Sequence, residues 1–368
     1  MNTQITISFI GLGLIGGSVA KSLKERNFSC YLNVYDTNAK TLSQAKKEGI
    51  ADEIYFSLTP DFFQCDYLFL CTPVSVSLSI LKEYHPLFMP GCVITDVGSV
   101  KGPIHKAIRE YHLSSCFIGG HPMAGSERYG YPNSSSSLLE NAYYILTPEE
   151  EVSKEKTEGL YKLIASTGAL PFLLTVNHHD KVTAAISHLP HLIASSLVNL
   201  IKENDDENFT FKTLAAGGFK DITRIASSSP SLWQQICSEN REEILIFLDK
   251  YIHHLEDLKV QLSSNEEDYL YNFFNSARRY RDSFLGTSSG PFVKQYVLTI
   301  DIPDRKGSLA DVITLLSEND INIKNLGIIH NREDQEGALR MEFYDPGEYN
   351  TAARLLNEKE YSFHQQNR

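Results

Sequence analysis

Ile5-Thr6-Ile7-Ser8-Phe9-Ile10-Gly11-Leu12-Gly13-Leu14-Ile15-Gly16-Gly17-Ser18 decides the fold. The first six residues are β-rich and uncharged, as suits a central parallel strand covered on both faces. The glycines that follow are spaced GxGxxG, and a helical pattern continues to about Glu25. A strand before and a helix after give that spacing its meaning. Gly11 permits a tight turn, Gly13 leaves room for a pyrophosphate, and Gly16 lets helix and strand pack closely. Phosphates would meet the free amides and the positive dipole end where the helix begins, at Leu14 and Ile15. A second strand, residues 31–35, ends in Asp36, whose carboxylate suits both ribose hydroxyls of NAD and repels the 2′-phosphate of NADP. The stretch therefore predicts an α/β Rossmann-type domain that binds NAD.

The 368 residues allow two or three domains, and 42% hydrophobic with 22% charged residues is ordinary for a globular enzyme. A formal charge of −12 argues against nucleic acid or a membrane surface as partner. Cys30, Cys65, Cys71, Cys92, Cys116 and Cys237 form no CxxC pair, and most sit in apolar runs. Reduced, buried thiols in a cytoplasmic protein look like this; a disulfide framework or a zinc site does not. The apolar N-terminus lacks the basic flank of a signal peptide, and no apolar run approaches the ~20 residues of a membrane span.

The strand-helix alternation continues to about residue 175, predicting further strands at 66–71, 91–95, 116–118, 142–146 and 169–174. Thr72-Pro73-Val74 follows one of them at the carboxyl edge, where open α/β sheets bind ligands. Asp96-Val97-Gly98-Ser99-Val100-Lys101 follows another, and Ser99 reads either as a helix N-cap or as a hydroxyl partner for substrate. Gly119-Gly120-His121-Pro122-Met123-Ala124-Gly125-Ser126-Glu127 is where chemistry is expected. Its glycines admit close approach, and Pro122 restricts His121 to extended geometry, which suits an aimed general base as well as a turn histidine.

From Asn177 the pattern becomes purely helical, which places a domain boundary at 176/177. His188 and His191 share a helical face beside Pro190, which should kink the helix. They read as substrate-facing groups or as buried histidines satisfied by a carbonyl, rather than as a metal pair. In Gly217-Gly218-Phe219-Lys220-Asp221-Ile222-Thr223-Arg224, Lys220 and Arg224 lie four apart and suit a dicarboxylate; an exposed Asp221–Arg224 pair is the plain alternative. Trp233 suits a pocket wall or core packing equally. Apolar stripes such as Ile244, Phe247, Leu248, Tyr251, Ile252 and Leu255 exceed one face of a small bundle, which implies a homodimer. Residues 286–295 read as a linker, and 296–368 as a βαββαβ, ferredoxin-like module.

With these stretches in view the chain resembles the prephenate dehydrogenases of tyrosine biosynthesis, fused to a C-terminal ACT domain. The resemblance is carried by residues 11–18, 71–74, 96–101, 119–127, 187–191 and 217–224, in that order. It implies an all-helical substrate and dimerisation domain over 177–285. It also implies NAD-dependent oxidation of a cyclohexadienol at C4, with the hydroxyl proton passing to His121 and carbon dioxide leaving C1. Ser99 would bond near that hydroxyl, and Arg224 would bind a carboxylate. Lys220, Asp221, His188, His191, Ser126 and Glu127 would line the pocket. Tyrosine would act at Asp304, Gly307, Ser308, Leu309 and Asn325, unless the module only aids assembly. Arogenate is the alternative substrate. A 3-hydroxyacid dehydrogenase would leave His121 idle, and a redox sensor would not require His121, Ser99 and Arg224 together.

Overall fold

The structure, a computed structural model, describes residues 4–125, 128–264, 267–283, 296–303, 305–330 and 336–363. The chain forms two compact units, Met1–Asn272 and Phe273–Arg368.

In the first unit β1 (Ile5–Ile10) leads through the glycine turn to α1 (Leu14–Glu25), β2 (Cys30–Tyr35), α2 (Ala39–Lys47) and a short β3 (Glu53–Tyr55). Then follow β4 (Tyr67–Leu70), α3 (Val74–Tyr84), β5 (Val93–Asp96) and α4 (Gly102–Glu110). The five strands form one parallel sheet in the order β3-β2-β1-β4-β5, with Ile7 opposite Tyr67 and Tyr67 opposite Val93. Phe9 stacks on Phe69 across neighbouring strands at 4.9 Å, and Ile7, Leu32 and Val34 are fully buried. Uncharged strands of this kind are stable only when helices cover both faces. Because the strands are parallel, the segments after β1, β4 and β5 emerge at one edge.

The expected single sheet ends at β5. The strands β6 (Ile118–Pro122), β7 (Tyr143–Pro148) and β8 (Leu170–Leu173) form a second sheet, with α5 (Lys154–Ser166) between β7 and β8. β6 is antiparallel to β7, and β7 is parallel to β8. Among the described residues a single bridge, Ile94 to Phe117, approaches a ladder between the sheets. The physical reason lies in Asp96: its side-chain Oδ1, not a strand carbonyl, accepts the Gly120 amide at 3.0 Å, so the ladder does not propagate.

The helical region opens with α6 (Val176–Thr183), a π-helical turn at Ala184–His188 and α7 (Leu189–Asn204). Pro190 falls in the first turn of α7, where its missing amide costs nothing, so the irregularity sits just before it. No membrane span was expected, yet residues 176–204 are long and apolar enough to cross one by length and composition. Their polar members His179, Asp180 and His188 are buried within the protein. The helices α8 (Thr210–Leu214), α9 (Gly217–Thr223), α10 (Pro230–Glu239), α11 (Arg241–Ser263) and α12 (Glu267–Ser283) follow, and the division between units falls inside α12 rather than at the expected 285.

In the second unit β9 (Tyr296–Pro303), α13 (Ser308–Ser317), β10 (Ile323–His330), β11 (Glu336–Phe343) and α14 (Pro346–Glu358) build an antiparallel sheet in the order β10-β11-β9. The expected last strand is reduced, among the described residues, to one antiparallel bridge from Phe363 to Ile300. Ile300, Leu316, Leu339, Met341 and Leu356 form the unit's own core.

Candidate active site

The glycine turn has the geometry of a phosphate cradle. Gly11 adopts φ +89°, and a Cβ there would stand 2.8 Å from both the Cys71 carbonyl oxygen and Thr72 Cγ2. A Cβ on Gly16 would meet the Gly11 carbonyl oxygen at 2.6 Å, so α1 packs as closely as the spacing predicts. Gly13 has open space where a Cβ would stand, and α1 starts with no side-chain cap and no acidic residue in its first turn. Its first amides are thus left for an anion. Asp36 accepts the Leu12 and Asn38 amides, each at 2.8 Å, which fixes its carboxylate at the same turn. The residues present fit a dinucleotide.

A cavity of about 680 Å³ begins at this turn. It is walled by Gly13, Leu14 and Ile15, by Thr72, Pro73 and Val74, and by Gly98 and Ser99 from the sheet edge. The opposite wall is helical: His191, Ile225, Trp233, Gln235 and Glu239. Ser99 therefore lines the cavity and does not cap α4, whose N-cap is Lys101. Trp233 takes the first of the two roles open to it, a wall residue stacked on His191 with ring centroids 3.6 Å apart. Glu239, which the sequence did not single out, is a lining carboxyl whose pKa burial raises.

His121 is the last residue but one of β6, 8% exposed, and is not itself part of the cavity wall. Its Nδ1 lies 2.8 Å from His179 Nε2, and His179 Nδ1 lies 2.7 Å from Asp180 Oδ1. Asp180 also accepts the Lys101 amide at 2.8 Å and the Gly102 amide at 2.7 Å, the first amides of α4. Lys101, fully buried, pairs with Asp96 and donates to the Gly120 carbonyl at 2.7 Å, holding β6 against β5. Burial first, then the neighbouring His179, Lys101 and His188, keep the His121 pKa well below the usual imidazole value. His179 is also lowered by burial, although its bond to Asp180 opposes this. Burial works against ionisation of Asp180, but its bonds from His179, Lys101 and Gly102 prevail and hold its pKa low.

His188 is corrected in position: it is 1% exposed and not part of the cavity wall. Asn240 Nδ2 donates to its Nδ1 at 3.0 Å and to the Asp180 carbonyl at 2.8 Å, and burial lowers its pKa to about 4. The partner is thus a side-chain amide and not the carbonyl expected. Lys220 and Asp221 lie exposed on α9, outside the lining, and α9 ends at Thr223, so Arg224 begins a separate 3-10 turn. Arg224 nevertheless stands close enough to His191 for its charge to help burial lower that imidazole's pKa. Ser126 and Glu127 lie outside the described residues, as does Asp304. Gly307 is left-handed, φ +96°, before α13; Ser308 is buried, Leu309 packs on the core, and Asn325 is exposed on β10.

The cavity joins a dinucleotide cradle to a second, helical wall, with the buried His121 on the strand next to β5, and this build is that of a two-domain nucleotide-dependent dehydrogenase. The family models agree: residues 19–172 match "Prephenate dehydrogenase, nucleotide-binding domain" and residues 175–276 match "Prephenate dehydrogenase, dimerization domain". Prephenate dehydrogenase of Bacillus subtilis is 35% identical over 340 residues, 92% of each chain. Among solved structures, prephenate dehydrogenase from Aquifex aeolicus in complex with hydroxyphenyl propionate and NAD+ superposes with a TM-score of 0.72 at 31% identity, over 77% of this chain and 99% of that one. Synechocystis arogenate dehydrogenase does so with 0.69 at 30% identity, over 76% and 100%. The chain belongs to the prephenate dehydrogenase family.

Proposed function

We propose that the chain oxidises prephenate to 4-hydroxyphenylpyruvate with NAD, releasing carbon dioxide, as a cytoplasmic homodimer serving tyrosine synthesis. The observation that carries this is the buried His121, held by a bonded partner on the strand next to β5, whose following loop lines the dinucleotide cavity. NAD, when bound in the Gly11–Gly16 cradle, supplies the hydride acceptor. His121 takes the proton of the C4 hydroxyl as C4 loses its hydride and becomes a carbonyl. The C1–carboxylate bond then breaks, its electron pair enters the ring, carbon dioxide leaves, and the phenolate oxygen regains a proton. In this reading Ser99 bonds the C4 oxygen, Trp233 and His191 flank the ring, and Arg224 meets a carboxylate.

Arogenate oxidation is the second reading, favoured by the near-equal likeness to the Synechocystis enzyme. The second unit, with a ferredoxin-like strand order, serves as an ACT regulatory domain. Its groove of about 330 Å³ beside Arg305, Ser308 and Asp311 is the place for tyrosine to act. NADH formation from prephenate and from arogenate, each with tyrosine titrated in, tests all three points. Prephenate turnover suppressed by tyrosine is expected. Turnover on neither substrate despite NAD binding overturns the enzyme assignment, and indifference to tyrosine overturns the regulatory one.

A further inference from the structure

The chain of bonds behind His121 runs in one direction only. Asp180 is held ionised by two backbone amides at the N-terminus of α4, and an ionised carboxylate accepts and never donates. His179 must therefore carry its proton on Nδ1 and offer a bare Nε2. A bare Nε2 at 2.8 Å accepts from His121 Nδ1, so the His121 proton sits on Nδ1 and its Nε2 is left unprotonated. The charged and titratable groups acting on His121 are His179 from α6, Lys101 from the N-cap of α4, where it pairs with Asp96 of β5, and His188 from the π-helical turn. None of the others takes the Nδ1 hydrogen bond.

We propose that His179 and Asp180 are positioning residues that set the tautomer of His121, leaving Nε2 as the nitrogen that receives the substrate proton. The proposal rests on His121 being the base. The same carboxylate that fixes the tautomer also docks α6 on the first amides of α4. The base is thus competent only when the helical segment is seated on the nucleotide domain. A histidine without this backing populates both tautomers, and in one of them Nε2 already carries a proton.

Steady-state kinetics of His179→Leu, His179→Gln and His121→Asn, with NAD affinity measured separately, tests it. In His179→Leu, kcat is expected to fall about a hundredfold, with KM and NAD affinity changing less than about threefold. The amide oxygen of His179→Gln can accept from His121 Nδ1, so this variant is expected to recover to within about fivefold of the unmodified enzyme. A glutamine variant as slow as the leucine one, or a leucine variant at full speed, overturns the proposal. If His121→Asn itself retains full turnover, the base assignment fails instead. Nitrogen-15 spectra of the unmodified enzyme, with His121→Asn to assign the imidazole, need no variant at His179. They should show His121 protonated at Nδ1 and bare at Nε2 at pH 8, and the opposite pattern rejects the proposal.

Discussion

His121→Asn should retain NAD affinity and lose turnover by roughly 10²–10⁴-fold, the usual worth of a positioned base. Isothermal titration for NAD and initial rates for turnover check the two halves. Because burial, with the neighbouring His179, Lys101 and His188, holds His121 below the ordinary imidazole value, the acid limb of kcat/KM should lie below about pH 6.5. A limb at or above that value would assign it to another group. His121, His179 and His188 are all neutral when buried, and each is lowered relative to the unfolded chain. The unfolded state therefore binds more protons as pH falls below about 6.5, and stability rises with pH there. His188 alone, falling to about 4, removes roughly 2 kcal/mol between pH 6.5 and 5. Thermal melts at pH 8 and pH 5 should show a clear drop in Tm; a flat profile contradicts it. His121 and Ser99 stood out in the sequence because short motifs place them near strand ends; Trp233, near a helix start, stayed open between pocket wall and core until the structure put it and Ser99 in the cavity lining. His179 and Asp180 did not stand out. At the start of a helix a His-Asp pair looks like a solvated first turn, and only the docking of α6 on α4, 79 residues away in sequence, buries it.

At the level of elements, the junction of β5 with β6 sets how the base is aimed. A Cβ on Gly120 would collide with the Asp96 carbonyl oxygen and stand 3.0 Å from Thr95 Oγ1 and Tyr144 Cε1. All three obstacles are parts of packed strands, so Gly120→Ala should cost about 1–3 kcal/mol and displace His121. Chemical denaturation and kcat measured together should both fall, whereas a stable variant with full kcat would show that β6 moves freely. The alternation of apolar runs with helical patterns made β1, β2, β4 and β5 readable. The end of that sheet was not readable, because an apolar run does not reveal that the next strand's amide will bond a side chain. β3, three residues long, gave too little pattern to detect.

For the whole molecule, surface apolarity carries the argument. On α11, Leu245, Ile252, Leu255 and Leu262 fall on one side, each between 45% and 56% exposed, while Ile244 is buried. A stripe of this kind marks an interface more often than a free surface. Sedimentation should find a single species at twice the 41.5 kDa chain mass, and Leu245→Glu combined with Ile252→Glu should give monomer. Unaltered mass in that variant would move the interface elsewhere. Of the apolar positions read from the sequence, Ile252 and Leu255 fall on this exposed side and Ile244 is buried, whereas Leu245 and Leu262 were not among them.

Asn240 ties the Asp180 carbonyl to His188 across 60 and 52 residues of chain. During synthesis the nucleotide sheet can form early, but the clamp on the helix bearing His179 waits for α10 to emerge. At roughly 5–20 residues per second, that interval is about 3–12 s. A nascent chain would thus own a complete cofactor cradle for several seconds before Asn240 could secure the helix that backs its base.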